Sequence, residues 1–158
     1  MSQIYDFLKD CGFYYLLTID GEYPSGRPIS QILEKDGSLY FGTRADKAMH
    51  RQLTENNHAA LIGFNKGRWL RLYANVFETK NMTTREQYLS RIPHEIERFG
   101  SAENPALIVY ELQVVKAAIH SPDDQVEIIF SEKKNKNFFT VYFSILTLET
   151  AASEKGEN

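Results

Sequence analysis

Turn signals divide this chain at short intervals, and their spacing is what most limits its fold. Asp20-Gly21, Asp36-Gly37 and Asn65-Lys66-Gly67 each separate runs rich in aromatic and branched side chains. Asp-Gly readily takes the positive φ angles of a type I′ turn, which joins two antiparallel strands. Asp36-Gly37 is the strongest such signal, because Ile32-Leu33 precede it and Leu39-Tyr40-Phe41 follow it. Closely spaced hairpins favour antiparallel sheet, whereas a doubly wound parallel sheet needs a helix between nearly every pair of strands. Closing the sheet into a barrel removes most of its exposed edges. The expected architecture is therefore mainly β (α+β), an antiparallel barrel with a few flanking helices.

The elements follow from periodicity and breakers. Ser2 to Asp10 reads as a short amphipathic helix with Ile4, Phe7 and Leu8 on one face, stopped at Gly12. Strands are expected over Phe13–Ile19, Arg27–Glu34, Leu39–Phe41, Ala59–Phe64 and Trp69–Glu78, with a helix from Asp46 to Glu55 between hairpins. Thr83-Thr84-Arg85-Glu86 reads as a capping box opening a helix that runs to about Ile92, and His94 to Phe99 as a second helical piece after Pro93. Ala106–Leu112 and Val114–Ile119 read as two further strands. After Pro122 the pattern weakens, Phe138 to Leu148 again has strand composition, and residues 151–158 read as a disordered polar tail following a single domain over 1–150.

Charge and cysteine content narrow the function. A net charge of −3 gives no basic stripe for displacing counterions, which argues against a nucleic-acid partner. The single cysteine, Cys11, rules out an intrachain disulfide and a cysteine-rich zinc site. His50, His58, His94 and His120 lack ligand spacing, so no metal is expected. The first residues carry neither a basic nor an apolar leader, and no run is long enough to span a bilayer, so the expected location is cytoplasmic.

Chemistry concentrates between Arg27 and Lys47. If the hairpin pairs about Asp36-Gly37, Ser30 lies opposite Thr43, and Arg27 comes within reach of the loop Gly42-Thr43-Arg44. Pro28 suits a strand end or edge, and Lys47 falls in the first turn of the next helix. A guanidinium, an ammonium, two hydroxyls and a helix N-terminus then meet at one end of a sheet, an arrangement that fits a phosphate. The same cations also suit ordinary solvated strand and helix positions. The second constellation is Arg68-Trp69-Leu70-Arg71, where alternation puts Trp69, Arg71 and Tyr73 on one face, more polar than a plain core strand. That face suits an interface or a pocket wall. No paired carboxylates or nucleophile elbow occur, so catalysis would come from a bound cofactor.

These residues resemble a known family. Phe13 to Gly21, Gly26-Arg27-Pro28-Ile29-Ser30, Gly37 to Thr43, Lys47, Gln52-Leu53 and Gly67 to Arg71 are similar, with spacing preserved over roughly residues 1–120, to the pyridoxamine 5′-phosphate oxidase-related flavoproteins. The resemblance implies an FMN-binding split β-barrel acting as a homodimer, with the cofactor in a cleft shared by two subunits. It implies that Arg27 and Lys47 hold the phosphate, helped by Thr43 and Arg44. Pro28, Ile29 and Ser30 would run along the ribityl chain and ring edge, and Trp69 would face the flavin or the subunit boundary. The Arg-x-His element with which true pyridoxamine phosphate oxidases grip substrate phosphate does not occur here, which argues against vitamin B6 oxidation. Fold does not fix chemistry in such a family. The resemblance therefore leaves an FMN-dependent oxidoreductase of unidentified small-molecule substrate beside a flavin- or haem-binding storage or sensor module, and beside a dimerisation scaffold without cofactor.

Overall fold

In the computed structural model, residues 2–123 and 125–131 are described. They form α1 (Ser2–Cys11), β1 (Tyr14–Asp20), β2 (Tyr23–Ile29), β3 (Leu33–Lys35), β4 (Ser38–Arg44), α2 (Ala48–Glu55), β5 (His58–Asn65) and β6 (Arg68–Glu78). The chain continues through α3 (Met82–Arg91), α4 (Pro93–Phe99), β7 (Leu107–His120) and β8 (Val126–Ser131). The strand composition at 138–148 and the polar tail at 151–158 lie outside the described residues.

Turn chemistry sets the hairpins. Asp36 and Gly37 both take positive φ, 51° and 80°, and β3 pairs with β4 about them, Lys35 opposite Ser38. Lys66 and Gly67 repeat that geometry between β5 and β6, where Asn65 faces Arg68. Every adjacent pair in the sheet is antiparallel, in the order β2-β1-β5-β6-β7-β4-β3, with β8 added on β7.

That order explains the barrel and its split. β2 and β3 lie at opposite ends of the strand order, yet only Ser30, Gln31 and Ile32 join them. Four residue steps reach roughly 14 Å at most, so the sheet has to curl until its ends approach. No ladder joins β2 to β3 or β4, so the sheet is an antiparallel split barrel and not a closed one. The expected single strand Arg27–Glu34 is therefore two strands. Arg27 pairs with Leu16 of β1, and the β3–β4 ladder ends at Leu33 opposite Tyr40, short of Ser30 and Thr43. Pro24 and Pro28 are tolerated because β2 is an edge strand with one ladder to satisfy.

Two cores hold this arrangement. Leu16, Phe41, Leu61, Leu70, Leu72 and Leu112 fill the barrel, and Ile4, Phe7 and Leu8 of α1 pack into the same cluster. Tyr88, Leu89 and Phe99 of α3 and α4 pack on Leu33, Leu107 and Val109 in the second. β4 serves both, since Leu39 and Phe41 face the barrel while Tyr40 faces the helices.

Several local readings are corrected. The two strands expected over 106–119 are one long β7, because Val115 is an extra residue opposite the Tyr73/Ala74 step of β6. This bulge bends β7 without ending it. Its N-terminal part pairs with β4, and its C-terminal part pairs with β8, a strand the weak pattern after Pro122 did not reveal. The cap of α3 is Asn81, whose Oδ1 accepts from the Thr84 amide at 3.0 Å, and not Thr83. Pro93 is the first residue of α4, where its missing N–H costs nothing.

Candidate functional site

The split in the barrel opens a cleft of about 530 Å³, within the range that holds small ligands. Arg27, Pro28, Ile29 and Ser30 form one wall and Thr43, Arg44 and Lys47 another. Seven of the eight site residues expected from sequence therefore share one cavity. They meet because the short link between β2 and β3 brings the sheet ends together, and because α2 starts where β4 ends.

Arg27 is the most firmly placed of these. Its Nη1 donates to Thr18 Oγ1 at 2.6 Å, and its Nη2 donates to Ser25 Oγ at 2.9 Å and to Gln52 Oε1 at 2.7 Å. Gln52 Oε1 also accepts from Thr18 Oγ1 at 2.7 Å. Gln52 and Thr18 are buried, so these bonds are shielded from competing water. Burial lowers the Arg27 pKa from its ordinary value, partly offset by Asp20, and the group remains a cation. Gln52 lines the cleft as well, and nothing in the spacing of α2 marked it as the acceptor that fixes Arg27.

The other cations differ in what they have to spare. Arg44 Nη2 donates to Asp46 at 2.6 Å, which offsets much of its charge. Lys47 is exposed and forms no ion pair among the described residues. It is the N-cap of α2, not a residue of its first turn: its backbone is extended (φ −84°, ψ 145°) and its side chain makes no capping bond. The helix therefore starts at Ala48, which lines the cleft together with Met49. The first amides of a helix have no intrahelical acceptor and carry the positive end of its dipole. Across the cleft, Asp20 is tied to Arg51 at 2.8 Å, and that hydrogen bond holds its carboxyl below the usual range.

Gly42 carries a different demand. A Cβ there would lie 2.5 Å from the Tyr88 ring, so glycine is required by the packing of α3 on β4. Burial first, and Glu95 second, push the Tyr88 phenol well above its ordinary range. The same packing brings α4 to the cleft, where His94, Glu95 and Arg98 complete the lining. The sequence offered no signal for these three, because their approach depends on how α3 and α4 dock.

Trp69 is not in this cavity. It stands at the start of β6 and stacks on His120 of β7, ring centroids 5.4 Å apart and planes 5° apart. Its strand shows the expected asymmetry: Leu70, Leu72 and Ala74 are buried, while Trp69, Arg71 and Tyr73 face outward. Among the described residues no cluster of His, Cys, Asp or Glu could hold a metal ion, and no helix is long and apolar enough to cross a membrane.

Fold and cleft define a small antiparallel split barrel with a recess at its opening lined by Arg27, Arg44, Lys47 and Arg98. The family model for pyridoxamine 5′-phosphate oxidase matches residues 1–121, and the chain belongs to that oxidase-related family, whose members commonly bind flavin. Among solved structures it is similar to a NimC/NimA-family protein from Clostridium acetobutylicum: 27% identical, TM-score 0.74, covering 82% of this chain and 93% of that one. It shares the fold of a protein related to general stress protein 26 from the same organism: 14% identical, TM-score 0.65, covering 81% and 92%. It also shares the fold of General Stress Protein 26 from Bacillus anthracis: 12% identical, TM-score 0.63, covering 81% and 97%. Comparison with curated proteins finds no match.

Proposed function

We propose that this chain binds FMN as a homodimer and acts as an oxidoreductase on a small molecule through the bound flavin. The observation that carries this is the convergence of Arg27, Lys47, Thr43 and the start of α2 on one cleft. The residues fit the group. Three hydrogen bonds use three of the five guanidinium donors of Arg27, so two remain for phosphate oxygens. Lys47 adds a mobile charge, and the first amides of α2 add fixed donors. When bound, the flavin would supply hydride or electron transfer. Pro28, Ile29 and Ser30 would border its ribityl chain and ring, and the cleft walls would exclude water from it.

The dimer reading rests on the outer face of the sheet. Tyr15, Phe64 and Tyr73 are large and 45% or more exposed. Ladder register places Tyr15 beside Ile62, Phe64 beside Trp69 and Ala60 beside Tyr73, a largely apolar outer surface across β1, β5 and β6 that Arg71, opposite Ile62, interrupts. Apolar faces of this kind mark association sites, and a second copy is the occupant that also closes a cleft shared between subunits. Trp69 belongs to that face and would meet the partner's cleft, not its own. The proposal places the protein in the cytoplasm, the compartment that suits a lone thiol at Cys11.

The test is a titration of purified protein with FMN, followed by reduction of the complex with NADH or NADPH. Tight binding with faster reduction than free FMN is the expected result. Binding without acceleration makes the chain a flavin-binding module. Failure to take up FMN at all overturns the proposal.

A further inference from the structure

The link between β2 and β3 has no ladder to hold it. Pairing with β1 ends at Ile29, opposite Tyr14, and pairing with β4 begins at Leu33. Ile29 and Ile32 pack against the barrel core, while Ser30 and Gln31 line the cleft. Two buried phenols reach Gln31 from the two sides of the split. Tyr14 OH, on β1, donates to the Gln31 carbonyl at 3.0 Å. Tyr88 OH, on α3 and packed against Gly42 of β4, donates to Gln31 Oε1 at 3.4 Å. Both tyrosines are only 1% exposed. On its open side the Gln31 amide nitrogen meets His94 Nε2.

Those hydroxyls fix what packing leaves loose. Apolar contact holds Ile29 and Ile32 at depth but is non-directional, so it does not orient the peptide and side chain of Gln31 between them. A hydrogen bond does, because it weakens steeply away from linearity. Burial raises the pKa of both phenols, so both stay protonated as donors. We propose that Tyr14 and Tyr88 are positioning residues: by clamping Gln31 they fix the stretch of wall that borders the flavin ring. Arg27 and Lys47 hold the phosphate end independently of that clamp. The inference rests on the cleft being the flavin site. It deepens that reading by dividing the work, with affinity set at one end and ring placement at the other.

The test compares Tyr14→Phe and Tyr88→Phe, each of which removes one hydroxyl and keeps the ring, with Tyr40→Phe. The last removes a buried hydroxyl that bonds Ser38 and not the link. The readouts are FMN affinity, the visible circular dichroism of the bound flavin, and amide hydrogen exchange over residues 30–32 without ligand. Both link variants should keep their FMN affinity and shift the flavin bands. Their exchange over 30–32 should quicken by about fivefold, the equivalent of one neutral hydrogen bond. Tyr40→Phe should change none of the three. Flavin bands and link exchange left unchanged by both link variants overturn the proposal, as does Tyr40→Phe reproducing their effect. Affinity lost with the bands unaltered overturns it too. If Tyr14→Phe does not fold, Tyr88→Phe decides. Protein that takes up no FMN sinks the flavin reading, and exchange over residues 30–32 then upholds or overturns the clamp on its own.

Discussion

Arg27 Nη2 donates to Gln52 Oε1 at 2.7 Å, linking an edge strand of the barrel to the first helix beyond its opening. The same oxygen accepts from Thr18 on β1, so one buried amide fixes a strand pair and a helix together. This is why a long, flexible guanidinium has a defined position in a cleft open to solvent. Preorganisation of this kind lowers the ordering cost of binding an anion.

Removing that acceptor should therefore affect both stability and binding. Gln52→Leu leaves Thr18 and Arg27 without their buried partner, a loss of about 1–3 kcal/mol. Denaturant unfolding should show a lowered midpoint, and FMN titration a weaker complex. A variant that unfolds normally and binds FMN as before would remove Gln52 from this role.

The cations should act on ligand affinity and leave assembly alone. Arg27→Ala and Lys47→Ala each delete a charge-assisted contact worth about 1.5–3 kcal/mol, so each should cost roughly tenfold or more in FMN affinity. Arg44→Ala should cost less, because Asp46 already offsets its charge. Flavin fluorescence titration measures all three, and equal losses would contradict the ranking.

Gly42 should tolerate no side chain. A Cβ 2.5 Å from the Tyr88 ring forces α3 off β4, and overpacking of this kind costs about 1–3 kcal/mol. Gly42→Ala should lower the melting temperature, and adding Tyr88→Leu should recover part of that loss. A melting temperature unchanged by Gly42→Ala would show that the ring moves freely.

His120 provides a pH-dependent signal. Burial lowers its pKa below the ordinary 6.5, with Arg71 and Lys116 adding repulsion. A folded-state pKa below the unfolded value means that the folded protein binds fewer protons. Stability from this group is thus intact above about pH 6.5 and falls as pH drops toward the folded pKa. Trp69, the single tryptophan, stacks on this ring, so its fluorescence should titrate with a midpoint below 6.5. Arg71→Ala should move the midpoint upward.

The outer sheet face should govern association. Phe64→Asp or Tyr15→Asp puts a charge where the proposed interface is apolar, and sedimentation should then report monomer in place of dimer. A dimer surviving both changes would place the interface elsewhere.

Local chemistry reached a long way into this molecule. Asp36-Gly37 determines its own turn, since Asp and Gly readily take positive φ, and Gly67 brings the same freedom to the turn that it shares with Lys66, so the hairpins follow. Alternation along β6 likewise separates Leu70 and Leu72 from Trp69 and Arg71 without knowledge of any partner strand. Partner choice was not local. That the run from Arg27 to Glu34 breaks, with Arg27 against β1 and Leu33 against β4, depends on a sheet whose ends are far apart in strand order. The Gln52 brace, the arrival of His94, Glu95 and Arg98 at the cleft, and the separation of Trp69 from it all depend on docking between distant segments. The sequence by itself determined the turns, the faces and the cationic residues near Arg27. Only the tertiary structure decided which of these meet, because long-range packing and hydrogen bonding join residues that no short-range periodicity relates.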